Sequence, residues 1–266
     1  MKLGKSLKKP AKSNTIWCIR KRSDKMEEVE GIILKETPYK EHSKIIQILT
    51  KEHGLISVIA KGVKSPKSPL RALSIRFTYG LFQISYKESK LSTLINADVI
   101  NPLETIKNDI ELISYLGYIS ELTMQVVKHE YNNDIYDMFI TSILKINEGM
   151  DPLIISNILE LKYLPYLGVG ISLNECVKCG KKADIITIDG DAGGLICKNC
   201  YTNEVIVDLK TIKLIRMYYL VDIKSISKIN ISDKVKNEIN MFIDRYYDRY
   251  TGLYLKSKDF LNKIRN

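Results

Sequence analysis

Histidine is nearly missing from this chain, which holds three in 266 residues, together with one tryptophan and five phenylalanines. The three are His42, His53 and His129, and none sits in an HExxH pair or beside a candidate nucleophile, which argues against zinc hydrolases and His-assisted nucleophilic catalysis. The fourteen glycines form neither a Gly-x-x-x-x-Gly-Lys-Ser/Thr loop nor a GxGxxG turn behind a strand. Nucleotide hydrolysis and dinucleotide binding are disfavoured accordingly. Carboxylates are plentiful but lie singly, with no paired set for general acid–base work. No apolar run approaches the roughly 18 residues of a membrane span. The patch Ile16–Ile19 behind Lys2, Lys5, Lys8 and Lys9 is too short for a signal-peptide core of about 7–15 residues. Cys18 likewise lacks the long apolar stretch that precedes a lipidated cysteine. The expectation is a non-enzymatic protein of the reducing cytoplasm.

The formal charge of +10 suggests an acidic partner, but its distribution weakens that inference. Residues 1–25 carry nine Lys/Arg against one acid, residues 26–104 eleven against nine, and residues 105–266 twenty-one of each. Most of the basicity therefore belongs to an amino-terminal segment, read as a disordered extension with Met26 as the expected start. Apolar residues make up 45% of the chain, the normal share for a folded core.

Residues 27–99 pattern as strands. Val29–Lys35, Lys44–Thr50, Leu55–Lys61, Phe77–Tyr86 and Leu91–Ala97 are rich in Ile, Val, Leu and Tyr, with breakers at Pro38, at His53 and Gly54, along 62–69 and along 87–90. Five short strands fit a small closed barrel, for which the OB-fold is a common nucleic-acid-binding form; an SH3-like barrel and a plain antiparallel sheet stay open on pattern alone. The period changes after Pro102. Ile106, Ile110, Ile113, Leu116, Ile119 and Leu122 share one face of a helix over 105–128, and similar stripes predict helices over 135–146, 152–164, 209–221 and 233–250. Asp151 and Pro152 form an N-cap and first-turn pair.

Between the helices stand Cys176-x-x-Cys179 and Cys197-x-x-Cys200, seventeen residues apart. A reducing compartment favours metal over disulfide, and two such pairs at this spacing fit a four-cysteine zinc site. Four thiolates close a tetrahedral shell, leaving no open position for water, so the expected ion is structural. A redox CxxC and an iron–sulfur cluster are the rival readings. Asp184–Ile188 and Gly193–Ile196 look like a hairpin that returns the second pair to the first.

The most informative polar stretch runs from Lys61 through Lys64, Lys67 and Arg71 to Arg76, with five cations and no acid. Its glycine and two prolines place it in a loop between strands. Cations and hydroxyls on such a loop suit phosphate oxygens, and Tyr39, Tyr79 and Tyr86 are candidate stacking surfaces if they face outward.

Several motifs occur in one order. Gly31 to Leu34, Tyr39 to Glu41, Ile45-Ile46 through Leu49-Thr50, Gly54-Leu55 and Ala60-Lys61-Gly62 through Lys67-Ser68 are followed by Glu160 to Lys162, Leu167-Gly168, Cys176-x-x-Cys179-Gly180 and Gly193-Gly194-x-x-Cys197-x-x-Cys200. This succession, over residues 27–255, resembles the RecO family of bacterial recombination mediators. The resemblance implies an OB-fold barrel at 26–103, a helical domain at 104–175 and 201–266, and a zinc unit at 176–200 holding one zinc ion. It implies binding of single- and double-stranded DNA, annealing of complementary strands, partnership with RecR and with the acidic tail of single-stranded-DNA-binding protein, and help in loading RecA. Lys35, Lys40 and Lys44 then join the five loop cations as the expected phosphate contacts. Two positions depart from the family pattern: Ser43 where Asp is frequent, and Arg76 in a segment that often carries proline. An RNA-binding zinc protein connected with translation and an enzyme with a structural zinc are the competing classes.

Overall fold

The computed structural model describes residues 25–227 and 229–265. The basic segment expected as an extension, with Cys18, lies outside them except for Lys25. Alternation of apolar and polar residues from Lys25 onward produces a long first strand, β1 (Lys25–Tyr39), which serves two neighbours. Its first half pairs antiparallel with β4 (Tyr79–Tyr86) and its second half with β2 (Ser43–Thr50). β2 pairs with β3 (Gly54–Ala60), β4 pairs with β5 (Ser92–Asn101), and a short parallel contact of Val58 with Ser92 and Ile59 with Thr93 joins β3 to β5. The order β1-β2-β3-β5-β4 closes on itself, the topology expected of an OB-fold barrel. Pro38, expected to end the first strand, is instead part of it, opposite Lys44 beside the β1–β2 turn.

Each face of the barrel wall has its own core. Val29, Ile33, Ile46, Ile48, Val58, Phe82, Ile84 and Leu94 fill the interior. The opposite face of the same strands presents Ile32, Leu34, Leu49 and Tyr79 to the helices, where they join one continuous cluster. Period-two alternation thus builds two cores from one sheet. Hydrogen bonds reinforce the junction. Tyr131 donates its hydroxyl to the carbonyls of Thr50 and Lys51 at 2.6 and 2.7 Å, while Tyr79 and Tyr136 both donate to Glu30.

The helical part contains α1 (Glu104–Lys107), α2 (Ile110–His129), α3 (Asn133–Asn147), α4 (Pro152–Tyr163), α5 (Leu209–Leu220), α6 (Asp233–Tyr250) and α7 (Lys256–Arg265). The helix expected to run unbroken over 105–128 is split. Asp109 accepts hydrogen bonds from the N–H groups of Glu111 and Leu112 and so starts a new helix. Asp151 caps α4 in the same way, with Pro152 in the first turn. The hairpin of β6 (Ile185–Asp189) and β7 (Gly194–Cys197) interrupts the helices between α4 and α5. Among the described residues no helix is long and apolar enough to cross a membrane.

Candidate metal centre and nucleic-acid interface

The hairpin brings the two cysteine pairs together. The Sγ atoms of Cys176, Cys179, Cys197 and Cys200 all lie within 4.8 Å of one another. Cys179 and Cys197 are 3.6 Å apart at sulfur, and all four are free thiols. Tetrahedral thiolate ligands about 2.3 Å from zinc stand about 3.8 Å from each other, so the arrangement suits that ion. The local chain has the shape a thiolate knuckle needs. Gly180 adopts a φ of +72°, letting its N–H return to the Cys176 carbonyl at 2.8 Å. The N–H of Cys197 points at the Cys176 sulfur from 3.4 Å.

The thiol electrostatics support the same reading. Burial pushes the Cys176 thiol up, but the N–H groups of Cys197, Lys178 and Cys179 outweigh it and hold it at about 6. Hydrogen bonding with Cys179, added to burial, pushes Cys200 to about 12. Four crowded thiols cannot all ionise unaided, and a divalent cation is the natural counter-charge. Beside the knuckle, Lys178 donates to Glu204 at 2.5 Å and holds that carboxyl down to about 2.

The candidate phosphate contacts sit on the barrel. The loop 61–78 joins β3 to β4 as a chain of tight turns, with Val63 buried in the barrel core and Leu70 and Leu73 packed against it. Lys61, Lys67 and Arg71 are exposed on this anchored loop, and Lys35 and Lys40 are exposed near the β1–β2 turn. Lys64 links the two segments. Its backbone N–H donates to the His42 carbonyl and its ammonium to the Lys40 carbonyl, both at 3.2 Å. Neither contact has a signal in the local sequence. Lys44 is half-buried and paired with Glu36 at 2.6 Å.

Arg76 stands apart from the other cations. Its Nε donates to the Leu34 carbonyl at 2.9 Å, and its guanidinium lies 4.3 Å from the Phe77 ring centre. The residue as a whole is exposed, but its guanidinium lies 3.9 Å from where a Cβ on Gly117 of α2 would stand, and desolvation lowers its pKa against the pull of Glu121 on the same helix. The candidate stacking residues also separate. Tyr79 is buried in the seam and does not face outward. Tyr86 stacks on His53 with centroids 4.0 Å apart. Tyr39 is half-buried, with the Lys40 ammonium 5.5 Å from its ring.

Residues 26–103 match the family model described as Recombination protein O N terminal, and residues 107–259 match Recombination protein O C terminal. The DNA repair protein RecO of Bacillus pumilus (strain SAFR-032) is 35% identical over 239 residues, covering 88% of this chain and 93% of its own. Its namesake in Bacillus subtilis (strain 168) is 34% identical over the same span. That of Listeria monocytogenes serotype 4b (strain CLIP80459) is 33% identical over 243 residues, 90% of this chain and 95% of its own. With both family models matched in order and relatives similar along nearly their whole length, the chain belongs to the RecO family of DNA repair proteins.

Proposed function

We propose that this protein is a non-catalytic recombination mediator of the cytoplasm and nucleoid. It binds single- and double-stranded DNA, anneals complementary strands and, with RecR, helps load RecA onto DNA coated by single-stranded-DNA-binding protein. The observation that supports the reading is that Lys64 ties the β3–β4 loop, which carries the exposed Lys61, Lys67 and Arg71, to the β1–β2 turn with the exposed Lys40, next to the strand that carries Lys35. Annealing brings two polyanions together, and a basic surface lowers their repulsion. Phosphate contacts release condensed counterions, so binding weakens steeply with salt.

The barrel at 26–103 handles DNA in this reading. The near-neutral helices at 104–175 and 201–266 recruit proteins, and the unit at 176–200 holds one structural zinc through its four cysteines. An acidic tail that ends in an apolar residue needs an apolar cleft with a cation. The cleft of about 460 Å³ between Leu173, Tyr219 and Leu220, with Arg216 in its wall, offers that combination. The test is annealing of complementary strands pre-coated with single-stranded-DNA-binding protein. Salt-sensitive acceleration by the full chain is the expected result. A folded, zinc-loaded protein that gives no acceleration removes the mediator role.

A further inference from the structure

The barrel wall left open by the helices can be read row by row from its strand register. Lys35 on β1 lies opposite Gln47 on β2, which lies opposite Ser57 on β3. Two residues along, on the same face, Thr37, Ile45, Ile59 and Thr93 form the next row across β1, β2, β3 and β5. Lys35 and Thr37 are exposed and the other five half-buried, so these side chains form an accessible floor. The exposed cations Lys40, Lys61, Lys67 and Arg71 belong to the turn and loop that continue from these strands.

Among the described residues, neither of these two rows carries an aromatic side chain. The barrel segment contains five aromatic residues apart from histidine, and all are accounted for. Phe82 is buried in the barrel interior, while Phe77 and Tyr79 are buried against the helices. Tyr86 is half-buried at the far end of β4, with one ring face stacked on His53. Tyr39, opposite Ser43, begins the next row of the same face as a single half-buried ring at its edge, with the Lys40 ammonium 5.5 Å from its centre. Proteins that hold single strands through their bases do so with aromatic platforms, because every base can stack on one. Aliphatic, hydroxyl and amide groups ringed by ammonium ions suit sugar and phosphate instead.

We propose that this face grips a DNA strand by its sugar–phosphate backbone and leaves the bases turned outward, free to pair. The proposal rests on the DNA-binding reading above and deepens it. A strand held this way is already presented for annealing, since no base has to be unstacked from the protein before it meets its complement. The same grip accepts duplex, whose bases are unavailable but whose phosphates are not.

The test compares the full-length, zinc-loaded protein on a mixed-sequence oligonucleotide and on an abasic phosphodeoxyribose strand of equal length, across a salt series. Affinities within about threefold and equal salt slopes are expected. Thymines in the bound oligonucleotide should also keep their free-strand reactivity towards permanganate within about twofold, because they are not stacked on protein. A Ser57→Asp variant, which puts an anion on the floor away from the cations, should weaken both ligands equally. A loss of about tenfold or more on the abasic strand, or thymines protected on binding, would overturn the backbone grip while leaving DNA binding intact. Undiminished binding by Ser57→Asp would take the strand off this face. Failure to bind either strand would overturn both the grip and the DNA-binding reading beneath it.

Discussion

Lys258, near the start of α7, places its ammonium 2.6 Å from the Asp244 carboxylate on α6 and 3.4 Å from Glu160 on α4. Glu160 is buried, and Tyr118 also donates its hydroxyl to it. Lys258 is thus the cation that lets two acids share the helical core, and with it α7 is fastened. Replacing Lys258 by Met keeps the aliphatic stem and removes the charge. The expected loss of stability is about 2–3 kcal/mol, less than for a fully buried pair because part of the lysine reaches solvent.

The pH dependence of that loss is a separate prediction. Burial raises the Glu160 carboxyl against the pull of Lys258. A pKa raised by folding contributes stability that is present at low pH and lost as pH rises through the folded value. Without Lys258 the ionised form of Glu160 is worse still, so the deficit of Lys258→Met should be largest near neutral pH and shrink as the solution is acidified. Urea denaturation of both proteins along a pH series measures this. A deficit that grows on acidification would show that Glu160 is not the group responsible.

The metal unit is seated by a glycine. A Cβ on Gly190, in the β6–β7 turn, would stand 2.6 Å from the Phe242 carbonyl oxygen and 2.7 Å from the Arg245 Cβ on α6. Gly190→Ala should therefore push the hairpin off α6 and cost about 1–3 kcal/mol by overpacking. The cysteines are untouched, so elemental analysis should still find one zinc per chain while the melting temperature falls. Cys179→Ser should do the reverse in order, losing metal first and stability with it. Iron in place of zinc in the wild-type protein would sink the metal assignment.

Sequence pattern was a good guide wherever the determining interaction is local. Ile, Val and Leu periodicity located the strands and most helices, and the two CxxC pairs announced a hairpin that folds them together. It was a poor guide where distant parts of the chain decide. Nothing near Tyr79 says that helices will cover it, because its partners are Glu30 and the α3 face that carries Tyr136. α7 went unseen because Leu261 is its one buried side chain, and its anchoring comes from Glu121, Glu160 and Asp244 far upstream. Pro38 misled in the opposite way, since a proline is tolerated in a strand where its missing N–H breaks no ladder bond. The cationic loop was legible as charge, but not the division of labour within it, which depends on contacts of Lys64 and Arg76 with β1 and its turn.

That division of labour separates charge from architecture. Lys67, Arg71 and Arg76 are all exposed, but Arg76 alone also donates to the Leu34 carbonyl and lies over the Phe77 ring. Reversing Lys67 and Arg71 to Glu should weaken single-strand binding by about tenfold or more and make the salt slope shallower by about 1.4 if each neutralises one phosphate. The melting temperature should barely move. Arg76→Ala should instead strand a carbonyl at the seam and cost about 1–3 kcal/mol of stability, with the salt slope of the folded protein preserved. Titrations over a salt series, paired with thermal melts, tell the two kinds of residue apart. If the double reversal leaves affinity unchanged, the loop is not part of the DNA site. If Arg76→Ala keeps its stability but flattens the salt slope, then its guanidinium meets phosphate after all, and the seam is held by Tyr131, Tyr136 and Glu30 without it.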